Sequence, residues 1–194
     1  RLQGDWSSDV CSSDLRRALA SDDRERTITR TYHAGFEGAS YQGDASNNVG
    51  QLYIDHDNTN NRNFYRWASS LSSLQDYDVI LRTTLPKDFV RWNTGSGNHL
   101  RVSYRSTAAS TDDNQLDISV FDTNGSPVSL SGSSATSGLN LASTSWLTEQ
   151  IEWTGSPTWT AGQDFLITLK LHARNDNQMH IGDLILEYVE LPSE

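Results

Sequence analysis

Residues 165–174 read FLITLKLHAR, in which Phe165, Ile167, Leu169 and Leu171 alternate with Thr168, Lys170 and His172. A period of two places successive side chains on opposite faces of an extended chain, so this stretch buries one face and wets the other. The pattern recurs in both directions from it. Leu100, Val102 and Tyr104 alternate with Arg101, Ser103 and Arg105, and Leu116, Ile118 and Val120 with Asp117 and Ser119. Leu184, Leu186 and Tyr188 oppose Asp183 and Glu187, while Leu147, Glu149, Ile151 and Trp153 share one side, with Glu149 breaking the apolar face.

Ten strands follow from this reading: Arg26–His33, Gly50–His56, Asn63–Ala68, Tyr77–Leu85, Phe89–Trp92, His99–Ser106, Gln115–Asp122, Trp146–Trp153, Phe165–Arg174 and His180–Glu190. Turn residues separate them at Asp57–Asn61, Pro86–Lys87, Thr94–Asn98, Ala108–Asn114 and Asn175–Gln178. Asn124–Gly125 is the strongest hairpin signal and leads into a short strand near Val128. Ser126–Ser145 reads as a long polar loop with at most a weak edge strand. One apolar face per strand, with no interposed helices, predicts an all-β fold: an antiparallel β-sandwich, jelly-roll-like, of about ten strands.

Residues Asp5–Leu15, DWSSDVCSSDL, resemble a translated sequencing adapter. The expectation is that residues 1–15 are an artefact that packs on nothing, and that the remainder is the C-terminal part of a larger protein. Arg16–Arg26 is the only helix-compatible stretch and lacks an apolar stripe, so 16–26 reads as a linker or short helix, and 27–194 as one sandwich domain. The lone cysteine, Cys11, falls inside the artefact, which leaves no disulfide framework, thiolate metal site or cysteine nucleophile. The net charge of −10 argues against nucleic acid as a partner. No apolar run approaches the ~20 residues needed to cross a bilayer, so membrane insertion is not expected.

The densest polar cluster is Asp55-His56-Asp57-Asn58-Thr59-Asn60-Asn61. Oxygen ligands in a loop suit calcium, with Asp55, Asp57 and Asn58 as the candidate ligands. The EF-hand spacing fails, because Asn60 stands where glycine is required and Arg66 where a bidentate glutamate belongs. An Asx-rich turn closing its own backbone hydrogen bonds accounts for the same residues without metal. Carboxylates are plentiful, and Glu149, on an apolar face, is the candidate for a raised pKa of the kind glycoside cleavage needs. A strand-end or bulge position reaching solvent is the favoured account of it. The five histidines show no metal-binding spacing, and neither a nucleophile elbow nor a phosphate-cradling glycine loop occurs, so no catalytic residue is assigned.

Aromatic residues are the better lead. Trp67 and Trp153 read as core. Trp159, in the loop 155–162, is the first candidate for an exposed platform that stacks on sugar rings, followed by Trp92 and Trp146. Packing at the sandwich rim is the alternative use of such rings.

The stretches NRNFYRW (61–67), LQDYD (74–78), LPKDFVRW (85–92), ASTSW (142–146), WTAG (159–162) and Ile181-Gly182-Asp183 are together similar to an uncharacterised β-sandwich domain. That domain lies near the C-terminus of long, repetitive surface or phage-tail-like proteins from uncultivated bacteria. The resemblance spans most of Thr31 to Val189 and brings no catalytic motif. It implies a jelly-roll head on a stalk, in an extracellular, cell-surface or virion setting, with homo-oligomerisation through the stalk. Three functions remain open: a non-catalytic surface or adhesin-type module, a carbohydrate-binding module of a lost enzyme, and a sandwich-fold glycan lyase or hydrolase. A convex polar surface favours the first, aromatics lining a concave surface the second, and paired carboxylates in a cleft the third. Glycans or a cell-surface polymer are the expected partners.

Overall fold

The computed structural model describes residues 25–93, 99–131 and 139–191. The adapter-like residues 5–15 and nearly all of the 16–26 linker lie outside them. In chain order the strands are β1 (Arg26–Tyr32), β2 (Ala39–Gln42), β3 (Gln51–Asp57), β4 (Arg62–Ala68), β5 (Gln75–Thr84), β6 (Phe89–Trp92) and β7 (Leu100–Ser106). They continue with β8 (Asn114–Phe121), β9 (Ser129–Leu130), β10 (Leu147–Ile151), β11 (Trp153–Thr154), β12 (Asp164–Ala173) and β13 (Gln178–Glu190). Every pairing is antiparallel.

One sheet runs β10-β7-β13-β4-β3, with β1 and β6 also paired to β13. The facing sheet runs β2-β5-β12-β8, and β9 pairs β11 in a small ribbon. The fold is therefore the antiparallel β-sandwich that the alternation predicts. The expected strand Trp146–Trp153 breaks at Glu152, because Ser131 and Glu152 exchange hydrogen bonds and draw Trp153 into the ribbon with β9. β2, a four-residue strand between Gly38 and Gly43, is not predicted by the periodicity, being too short and polar to show one.

The stretch 165–174 explains the core. Phe165, Ile167, Leu169, Leu171 and Ala173 of β12 are all essentially inaccessible to water, and each large apolar side chain so buried contributes roughly 1.5–3 kcal/mol. β12 takes β5 on one edge and β8 on the other, so its buried row continues into Val79 and Leu81 and into Leu116, Ile118 and Val120. Across the interface lies β13, joined to β12 by a tight turn in which Asn175 and Asp176 both take positive φ. Asn and Asp tolerate that region better than other side chains, which suits them to a sharp reversal between layers. At Asn124–Gly125 the expected turn closes, with Gly125 at positive φ and its amide donating to the Asp122 carbonyl at 2.9 Å.

β13 is covered on both faces. Its register against β7 shifts between Ile181 and Leu184, leaving Gly182 and Asp183 as a bulge. A side chain at Gly182 would strike the Arg62 stem at 2.8 Å, so only glycine lets Arg62 lie across the strand. On that outer face Phe64, His180 and Trp146 form a second, smaller aromatic layer. His180 is 3 % exposed; its Nδ1 accepts from Arg105 Nε at 3.3 Å, so the proton of the neutral ring sits on Nε2 and is donated to Gln178 Oε1 at 3.0 Å.

Burial, with the nearby cations Arg105 and Arg66, pulls the His180 pKa from 6.5 to about 4. An unfolded chain then binds a proton that the folded one refuses, so stability is full above pH 6.5 and falls as the pH drops toward 4. The slope from this residue is about 1.4 kcal/mol per pH unit, or about 3 kcal/mol across the window. Urea unfolding at several pH values should show it, and His180→Gln should flatten the profile there even where it lowers stability at neutral pH.

Candidate functional site

The three tryptophans that the sequence offers as platforms have different fates. Trp92 is 5 % exposed, held edge-to-face by Trp153, Trp159, Phe165 and Tyr188. It is a core residue and not an exposed surface, because β6 pairs with the end of β13 and turns the ring inward. Trp159 is half-buried and leans on the same cluster, lining a hollow of about 400 Å³ with Pro157 and His99. Its loop is strapped to the preceding turn by Asp122, whose buried carboxylate accepts the amides of Asn124, Ser126 and Thr158 at 2.8–2.9 Å. Burial raises the Asp122 pKa, and the three amides more than reverse the effect.

Trp146 lies on the outer face of the first sheet, 6.3 Å from His180. The Arg62 and Arg105 guanidinium groups sit 4.8 and 5.1 Å from its ring, and its indole N–H donates to Asp57 Oδ2 at 2.8 Å. The ring is thus engaged by this chain's own cations.

Asp57 anchors both that indole and the turn following β3. Its carboxylate accepts the amides of Thr59 and Asn60, the Asn60 side chain and the Trp146 indole, with Arg105 at 3.4 Å. The Trp146 and Asn60 hydrogen bonds hold its carboxyl well below the usual range. Asp55 caps the His56 amide and pairs with Arg66 at 3.4 Å, and Asn58 is exposed on the turn. The partners of both carboxylates are donors and a cation, which is the arrangement of a closed Asx turn. No group of three or more metal-ligating side chains occurs among the described residues.

Glu149 faces the core side of β10, opposite Val102, where burial raises its pKa. It lines neither the hollow beside Trp159 nor the groove between β2 and β3.

The larger concavity lies elsewhere. β2 and β3 are the outer strands on one side of the two sheets, and a groove of about 630 Å³ opens between them. Volumes of this order suit a small ligand or a few sugar rings. Its floor is Tyr65 and Trp67, both fully buried, with Tyr77 stacked on Trp67 at 5.1 Å. Its walls are Tyr41, 44 % exposed, and Ile54, 57 % exposed. Tyr53 stands at the rim beneath the Arg66 guanidinium, its hydroxyl bonded to Gln51. Trp67 is fixed by its indole N–H, which donates to the Gln75 carbonyl at 3.0 Å. Asn48 donates to the Asp76 carbonyl at 3.0 Å and closes one end.

Tyr41, Val49, Tyr53 and Ile54 all belong to β2, β3 or the segment between them, and make up half of the eight large apolar residues exposed among those described. Alternation identifies Tyr65 and Trp67 as strand residues. Nothing in one strand's pattern shows that they end beside an uncovered edge. The groove offers apolar ring surface edged by phenolic hydroxyls and a carboxamide, and none of its described lining residues carries a charge.

No protein-family model matches the chain, and no curated protein does. Among solved structures it is similar to TmCBM61 in complex with beta-1,4-galactotriose, at 10 % identity over 79 % of this chain and 88 % of that one, with a TM-score of 0.39. It is also similar to the family 11 carbohydrate-binding module of the cellulosomal cellulase Lic26A-Cel5E of Clostridium thermocellum, at 13 % identity over 85 % and 91 %, with a TM-score of 0.37. A third likeness is to the mosquito-larvicidal Cry4Aa toxin of Bacillus thuringiensis, at 11 % identity over 86 % of this chain and 24 % of that one, with a TM-score of 0.43. Likenesses this distant carry no argument about what the chain binds.

Two outcomes follow from the local geometry. A methyl group at Gly50 would meet the Trp67 ring at 2.6 Å and the Ala68 carbonyl at 2.5 Å. Gly50→Ala should therefore cost about 1–3 kcal/mol in urea unfolding and alter the near-ultraviolet tryptophan signal. With Asp57 already saturated by donors, excess calcium and a chelator should give the same melting midpoint; a higher midpoint with calcium would assign a metal site.

Proposed function

We propose that this chain is a non-catalytic sugar-binding module, carried on the outside of a cell or virion as part of a longer surface protein. The observation that carries the reading is the groove between β2 and β3, where exposed Tyr41 and Ile54 stand over a floor of Tyr65, Trp67 and Tyr77. Aromatic and apolar walls with a few fixed polar groups match the flat C–H faces and hydroxyl rims of sugar rings. The described lining contains no carboxylate, which leaves a glycosidase or lyase pair without a place in it. The surface setting rests on the sequence resemblance and on the turns rich in serine, threonine and asparagine.

A glycan array followed by calorimetry on residues 16–194 tests this. Binding should be lost in Ile54→Asp, which puts a charge in the groove, and kept in Trp159→Ala, at the far cluster. The reverse pattern would move the site to the hollow beside Trp159, and failure to bind any glycan would end the reading.

A further inference from the structure

Tyr65 and Tyr41 meet at the wall of the groove, their hydroxyl oxygens 3.1 Å apart. Distance alone does not say which one donates. The surroundings of Tyr65 do. Its oxygen accepts the Phe36 amide at 2.8 Å, and the Gly35 amide also acts on it. A phenolic oxygen that already accepts a backbone amide is a poor acceptor for a further hydroxyl, whereas its own proton is still free to be donated. The acceptor in reach of that proton is Tyr41. The Tyr41 hydroxyl makes no other hydrogen bond among the described residues, and its ring is 44 % exposed. With Tyr65 donating to its oxygen, its own proton turns outward to the groove. Burial, with the Tyr41 hydroxyl beside it, raises the Tyr65 pKa, so the phenol keeps its proton.

We infer that the groove selects an uncharged oligosaccharide, and that the Tyr41 hydroxyl, oriented by Tyr65, donates to an acceptor oxygen on it. This rests on the sugar-binding reading and adds the ligand class and the residue that discriminates it. Two further observations support neutrality. No described lining residue is ionised, and Arg66 at the rim is already paired with Asp55 at 3.4 Å, so a carboxylate or sulfate would enter without a free counter-charge. The chain also carries a net charge of −10, which repels polyanions on approach. A sugar hydroxyl or ring oxygen supplies the acceptor without that cost.

The probes are two neutral polymers, hydroxyethylcellulose and galactan, and two anionic ones, polygalacturonate and alginate, run in affinity electrophoresis against wild type and Tyr41→Phe. Tyr41→Phe keeps the exposed ring and removes the donor; it also takes the acceptor from the buried Tyr65 hydroxyl, so it should still fold, with a lower urea midpoint, and bind the neutral polymer about five- to tenfold more weakly. Raising the salt should leave neutral binding unchanged. Retention on the anionic polymers alone would overturn the assigned ligand class, and undiminished neutral binding by Tyr41→Phe would overturn the role of its hydroxyl while leaving the sugar-binding reading intact. No retention on any of the four, after a positive glycan array, would overturn this assignment; after a negative array it ends both readings. Independently of ligand, a slowly exchanging hydroxyl proton should be seen by NMR on Tyr65 with a cross-peak to the Tyr41 ring. Its appearance on Tyr41 instead would reverse the donor direction and overturn the inference.

Discussion

β13 is the constraint on which the rest of this sandwich depends. Thirteen residues long, it pairs with β4 and then β1 along one edge, and with β7 and then β6 along the other. Four strands distant in sequence are aligned by one strand, whose ladders are interrupted at the Gly182–Asp183 bulge. Its inner face packs toward β12, and its outer face is roofed by Phe64, His180 and Trp146. A strand covered on both faces and paired along most of both edges needs its buried polar side chains satisfied locally. His180 meets that requirement by staying neutral between Arg105 and Gln178. Glu187 meets it through Arg101 at 2.5 Å.

The same architecture produces the groove. The sheet built on β13 extends through β4 to β3 on one side, while the facing sheet ends at the short β2. Inward-facing residues near these edges have no strand opposite to cover them. Tyr65 and Trp67 are far enough in to be buried by Tyr41 and Tyr77, whereas Ile54 and Tyr41 remain open. Apolar surface left this way in a fold otherwise well covered is a site where a ligand gains by excluding water. Across the β13 axis the matching aromatic richness, centred on Trp92, has been spent on packing instead.

The period-two pattern made most strands legible because burial on one face is a local property, repeated residue by residue. Where burial was decided by distant partners, the pattern misled or was silent. Trp92 ends a four-residue strand, and only its register against Tyr188 turns the ring into the core. Trp146 follows a polar loop, and Asp57, 89 residues away in sequence, holds it on the sheet together with Arg62, Arg105 and Phe64. Glu149 does share a face with Ile151, as alternation implies, yet it stands on an edge strand where that face is incompletely covered. The Asx-rich turn at 57–61 was legible as a turn, since its hydrogen bonds are nearly all local.

The sequence by itself determined the all-β class, the core faces of β7, β8, β12 and β13, and the principal turns. Each of these rests on interactions between residues close in the chain or on a simple alternation of polarity. Only the tertiary structure decided which edges stay open, which rings are covered and where the concave surface lies. The reason is that exposure of a strand's end residue depends on whether another sheet happens to extend over it. β2, with no periodic signal of its own, supplies Tyr41 and so one wall of the groove. Donor direction within the Tyr65–Tyr41 pair depends likewise on the backbone amide of Phe36, 29 residues away in sequence, and becomes readable only once that amide is in place.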